Sequence, residues 1–150
     1  MRMKKSKWSA TYLRALSLLL LIPQIENPWV RSRALQSVEH LVSRMAEKKE
    51  RTSHLLSFLQ DPSFEIQLQA AIMLSRVDNT ITNGLPILIV AATDTNQLTQ
   101  KIRAQIPNKT NPLGLNSIIA GLVRTKQGLA QEALQRVQSS NASPTQASQF

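Results

Sequence analysis

Residues 55–77, LLSFLQDPSFEIQLQAAIMLSRV, carry two apolar periodic runs divided by Asp61-Pro62, and this pattern constrains the fold more than any other feature of the chain. Leu55, Leu56, Phe58 and Leu59 supply one apolar side, and Ile66, Ala70, Ile72, Met73, Leu74 and Val77 supply a second. Recurrence at i, i+3, i+4 and i+7 gathers side chains on one face of a 3.6-residue helix. Pro62 lacks an amide hydrogen and disfavours helix at the residue before it, so the two runs are separate helices joined by a tight turn. A pair this short cannot bury its own stripes and needs neighbours.

The flanking sequence supplies them. After Asn27-Pro28, residues Ala34, Leu35, Val38, Leu41, Val42 and Met45 fall at helical spacing. No Pro or Gly interrupts residues 29–60, which allows one long helix; the polar stretch AEKKERTS also allows a turn, with Thr52 or Ser53 capping a new helix. Beyond the breaker-rich DNTITNG, the stretch LPILIVAAT has the Ile and Val content of a strand. Pro86 suits the first turn of a short buried helix, and the helical context decides for helix. Asp94-Thr95-Asn96 makes the next turn, and Leu98, Ile102 and Ile106 recur every four residues after it. PNKTNPLG is a loop. Leu115, Ile118, Ile119 and Leu122 then form one apolar face, and Leu129, Ala133, Leu134 and Val137 another, with a bend expected near Gly128. The tail, residues 138–150, is polar and low in complexity and is expected to be disordered. Aromatics at 4% and only 4 glycines agree with an all-α chain, and no linker divides residues 1–137 into more than one domain.

The segments also repeat. Shifting Leu55, Leu56, Leu59 and Asp61 by 33 positions lands on Leu88, Ile89, Ala92 and Asp94; shifting Ala34, Leu35, Val38 and Leu41 by 36 lands on Ala70, Ala71, Leu74 and Val77. On these residues, LLSFLQDPSFEIQLQAAIMLSRV resembles a HEAT-type helical repeat, with its Asp-Pro turn and its small residues in the second helix. NPWVRSRALQSVEHL, with its Val30-Arg31 step, is a looser copy; LPILIVAATDTNQLTQKIRAQI is a third, without the turn proline and the Ala pair. The resemblance spans about residues 10–106. It implies a short right-handed α-solenoid of antiparallel helix pairs, and binding rather than a reaction. An ordinary amphipathic helical bundle is the alternative on the residues alone.

The charge is lopsided. Of 18 Lys and Arg, eleven fall in residues 1–51 against four Glu, a local net charge of +7 out of +9. Such asymmetry suggests an anionic partner, whether nucleic acid, an acidic protein or a membrane surface, or else a solvated basic face. The candidate residues are Arg31, Arg33, Arg44, Lys48, Lys49 and Arg51. Arg44, Lys48 and Arg51 stand at i, i+4 and i+7, and one continuous helix would align Arg33 with them. Glu47 and Glu50 lie among them and can neutralise them in pairs.

The opening MRMKKSKWSATYLRALSLLLLIPQI has no acidic residue and ends in a leucine-rich run, so residues 1–25 read as a first helix or a targeting segment. Ala15–Ile22 is far shorter than the roughly 20 residues a transmembrane helix needs. A cytoplasmic protein is expected. No constellation carries chemistry. With no cysteine there is no disulfide, thiolate nucleophile or Cys-ligated zinc. His40 and His54 are 14 apart without a metal-ligand companion. Asp61, Asp78 and Asp94 each sit beside a helix end, where capping explains them. The sequons at Asn108 and Asn141 are short enough to arise by chance. No catalytic, cofactor-binding or metal-binding residue is assigned. The expectation is a non-enzymatic scaffold mediating protein–protein interaction, with nucleic-acid binding through the basic N-terminal third as the alternative and a lyase-like or accessory role left open by analogy of fold.

Overall fold

The computed structural model describes residues 10–43, 48–105 and 114–142. These residues are all-α, with no strand among them. In chain order they form α1 (Ala10–Leu21), a 3-10 turn (Ile22–Gln24), α2 (Pro28–Ser37), α3 (Glu39–Ser43), α4 (Lys48–Phe58), α5 (Phe64–Val77), α6 (Leu85–Thr93), α7 (Thr95–Gln105) and α8 (Leu115–Ser140). LPILIVAAT is helical, as the proline near its start predicts. It buries Leu88, Ala91 and Ala92.

The core is built around α5. Ten of its 14 residues are buried, more than one stripe can account for. Leu68 and Ala71 fall outside the stripe predicted from periodicity and are buried with it, and the polar Glu65, Gln69 and Ser75 are buried as well. Accordingly α2 and α4 pack on it from the chain before it, and α6, α7 and α8 from the chain after it. Leu35, Val38, Leu55, Phe58 and Leu59 meet Ile66, Ile72, Met73 and Leu74 in one buried cluster.

α8 closes the other side. Its 26 residues span about 39 Å and lie against α5, α6 and α7, most extensively against α6. Small residues serve this contact. Ala91 and Ala92 on α6 and Ala130 and Ala133 on α8 are buried, which lets two helices approach more closely than leucines would.

The three aspartates act at turns as expected. The Asp61 Oδ1 accepts the Ser63 amide at 2.8 Å, and the Asp78 Oδ1 accepts the Thr80 amide at 3.1 Å. The Asp94 Oδ1 accepts the Gln97 amide at 3.0 Å, the N-cap bond of α7.

Several local expectations need correction. Residues 29–60 are not one helix. α2 ends at Ser37, and the Val38 amide is shared between the carbonyls of Ala34 and Leu35 at 3.2 and 3.3 Å, a tightening of the backbone between α2 and α3. α4 is already helical at Lys48, so neither Thr52 nor Ser53 caps it; the Thr52 hydroxyl instead donates back to the Lys49 carbonyl at 3.1 Å. α8 runs without a break through Gly128, because the apolar residues on both sides of it pack on the same surface of the bundle. Ile118 is exposed and Ile119 takes the inward position. α8 also continues past residue 137. The Asn141 side-chain amide donates to the carbonyls of Val137 at 2.8 Å and Asn79 at 3.1 Å, which caps the helix and ties it to the end of α5. Met45, Ile106 and residues 143–150 lie outside the described residues.

Two glycines should answer substitution in opposite ways. A Cβ at Gly84 would stand 2.9 Å from the Cβ of Ala71, so Gly84→Ala must push α6 off α5 and should cost roughly 1–3 kcal/mol. A Cβ at Gly128 meets nothing within 4 Å, and Gly128→Ala should gain up to about 1 kcal/mol from helix propensity. Urea denaturation of the two variants measures both.

Candidate functional site

The basic residues singled out in the sequence do not act together. Arg31 is buried, at 7% exposure, and every nitrogen of its guanidinium is used. Its Nε and Nη2 donate to Asp61 Oδ2 and Oδ1 at 3.0 and 2.8 Å, a bidentate fork. Its Nη1 donates to the carbonyls of Ile25 at 2.7 Å and Glu26 at 3.2 Å. Arg31 thereby ties the connection before α2 to the turn between α4 and α5, with four of its five N–H donors taken up within the chain. Arg33, two residues on, is exposed. Lys49 is exposed on α4. Lys48 and Arg51 also belong to α4, their side chains lying outside what is described, as does Arg44 altogether. The turn at Val38 falls between Arg33 and position 44, so the straight stripe expected from a continuous helix is interrupted.

A second cluster gives no sequence signal. Glu65, in the first turn of α5, is 4% exposed. A carboxylate there is favourable to the helix dipole, which makes it unremarkable in a sequence. Its Oε2 pairs with the Lys126 ammonium of α8 at 3.0 Å and lies 3.5 Å from the Ser32 hydroxyl of α2. Its Oε1 has no hydrogen-bond partner. Beside it lies a partly enclosed cavity of about 220 Å³. α2 lines this cavity with Ser32, Arg33 and Gln36, and α8 with Leu122, Thr125, Lys126 and Leu129. Among the described residues the Arg33 guanidinium has no carboxylate partner.

A wider, open groove of about 560 Å³ runs along Asn79 and the end of α8, including Glu132, Arg136 and Ser139. Arg136 donates through Nε and Nη2 to the Ser75 hydroxyl at 3.2 and 2.9 Å. Burial, and after it the neighbouring Arg76, lowers the pKa of Arg136 below its ordinary value. Arg76 itself pairs with Glu39 of α3. The Asn141 amide is engaged by the two carbonyls that cap α8, so its sequon offers a nitrogen already committed to the fold.

Large aliphatic side chains are also exposed on α1 and α2. Leu13, Leu20 and Leu21 of α1 and Val30 of α2 are 48%, 58%, 56% and 49% exposed. α1 turns Leu19 inward and packs on the 3-10 turn and α3, which leaves those leucines uncovered. Ile89 on α6 and Ile118 on α8 are the other large aliphatic side chains exposed among the described residues. No helix among the described residues is long and apolar enough to cross a membrane, and no three of their His, Asp or Glu side chains gather as a metal site.

No protein-family model matches the chain, and neither the curated proteins nor the solved structures include a significant match to it.

Asp61→Ala should be costly, because it leaves the Arg31 charge buried without its counter-ion; roughly 3 kcal/mol is expected. Replacing Arg31 and Asp61 together should cost less than Asp61→Ala alone. A double-mutant cycle in guanidinium chloride reads the coupling directly, and a coupling near zero would mean that the pair adds nothing to the fold.

Proposed function

We propose that the protein is a non-enzymatic binding module, a short right-handed α-solenoid of HEAT-like helix pairs that holds a protein partner at its N-terminal edge. The helix arrangement supports the repeat reading. α4 pairs with α5 and α6 with α7, while the second helices follow one another, α2 against α5 and α5 against α7. Of the eight residue pairs equated by the 33- and 36-residue shifts, four are buried in both members, Leu55 with Leu88, Leu59 with Ala92, Leu35 with Ala71 and Val38 with Leu74, whereas Leu56 is half-buried and its counterpart Ile89 exposed.

The observation that carries the functional reading is the exposure of the large aliphatic side chains Leu13, Leu20 and Leu21 on α1 and Val30 on α2. A stacked array needs a polar face at its ends, and an apolar end invites another chain to continue the stack. α8 covers much of α5, so the inner helix row is not the open surface. Residues 1–25 contain Arg2, Lys4, Lys5, Lys7 and Arg14 and no acidic residue. An amphipathic helix with an acidic border is the complementary partner.

The basic N-terminal third supports a second reading, nucleic-acid binding, through exposed Arg33 and Lys49 together with the local charge of +7. A photo-crosslinker at position 20 should capture a protein, while one at position 118 of α8 should not. Leu20→Gln with Leu21→Gln should weaken that capture without unfolding the chain, since both side chains are already exposed. Failure to capture any protein from position 20 would overturn the reading. Retention of nucleic acid on a filter at low salt, lost steeply as salt rises, would favour the second.

A further inference from the structure

We propose that the cavity walled by α2 and α8 binds a small aliphatic carboxylate, one negative charge on a short hydrocarbon chain. The site shares no residue with the α1 surface of the protein-partner reading, so either can fail without the other.

Helix spacing sets the two walls. Leu122, Thr125, Lys126 and Leu129 stand at i, i+3, i+4 and i+7 and form one stripe of α8. Arg33 and Gln36, three apart, are neighbours on the face of α2 that lines the same cavity. Both helices pack on α5. Ligand contacts belong to the wall side chains that reach solvent: Arg33, Gln36 and Thr125 are exposed, and Leu122, Lys126 and Leu129 are half-buried. Ser32 and Glu65, each 4% exposed, have a different part. The Glu65 Oε2 accepts from the Lys126 ammonium at 3.0 Å and lies 3.5 Å from the Ser32 hydroxyl, which holds the lysine in place on the α8 wall.

The reachable polar groups select an anion. All four carry N–H or O–H donors, and Arg33 and Lys126 are cations. Glu65 takes up one of the three hydrogens of the Lys126 ammonium, and Arg33 has no carboxylate partner among the described residues. Arg33 and Lys126 against Glu65 leave the lining at +1. A single negative charge brings it to neutrality, whereas a phosphate group carries nearly two and meets more repulsion from Glu65. A carboxylate also matches the planar donor fork of Arg33. The leucines call for a hydrocarbon tail. Lys126 is four residues from Leu122 and three from Leu129, so a head group held at the lysine needs a chain of about 5 Å to reach either leucine. Size agrees: the cavity of about 220 Å³ holds several waters at about 30 Å³ each and falls below the space that drug-sized ligands need.

The test uses the full chain and follows backbone amide shifts by NMR while 4-methylpentanoate, 4-methylpentanamide, acetate and inorganic phosphate are titrated. 4-Methylpentanoate should give saturable shifts confined to α2, the start of α5 and the middle of α8. The amide, which lacks the charge, and acetate, which lacks the tail, should each bind roughly tenfold more weakly or worse, and phosphate more weakly than 4-methylpentanoate. Arg33→Gln changes an exposed side chain and should weaken 4-methylpentanoate by a similar factor. Leu129→Ala should weaken 4-methylpentanoate and leave acetate unchanged; if that variant does not fold, Arg33→Gln and the ligand series still decide. Absence of saturable shifts with 4-methylpentanoate at tens of millimolar would overturn the proposal. So would an amide or a phosphate that binds as tightly, or affinity unchanged in Arg33→Gln.

Discussion

Burial of α5 on nearly every side is the constraint from which the rest of the structure follows. A helix with one apolar stripe can lie on the surface of a bundle, but Phe64–Val77 has too few exposed residues for that. It needs a wall of other helices, and the chain supplies one from each direction: α2 and α4 on one hand, α6, α7 and α8 on the other. The polar groups that this helix carries into the interior then have to be satisfied there. Ser75 bonds the Ile72 carbonyl at 2.6 Å and receives Arg136 of α8. Glu65 receives Lys126 of the same helix. The closing helix is thus held to α5 by one ion pair and one guanidinium–hydroxyl contact as well as by packing.

The cations of the N-terminal third divide by the same logic. A guanidinium taken out of water must be matched by acceptors or its desolvation costs more than its contacts return. Arg31 meets that condition with a carboxylate and two carbonyls and so becomes a structural clamp between the entry to α2 and the turn before α5. Arg33 lies two residues along the same helix, roughly 200° around it, and remains open. Net charge counted along a sequence treats the two alike, although only one of them can meet a partner.

The open features of the molecule are the edge that α1 exposes and the cavity that α8 helps to form. They differ in kind: α1 exposes separate leucines, while the cavity is small, mixed in polarity and lined in part by Glu65.

The sequence by itself determined the all-α character, the turns at Asp61, Asp78 and Asp94, the helical state of LPILIVAAT and most of the inward residues of each helix. These depend on interactions within a few positions: the i to i+4 hydrogen bond, the side-chain period, the reach of a capping carboxylate. Only the tertiary structure decided that Val38 ends a helix that nothing local forbids, that α8 passes through Gly128, that Arg31 faces Asp61 thirty residues away, and that Glu65 lies beneath Lys126. Each of those depends on which segments lie side by side, and the spacing of residues along one helix carries no record of the residues that a distant helix will bring against it.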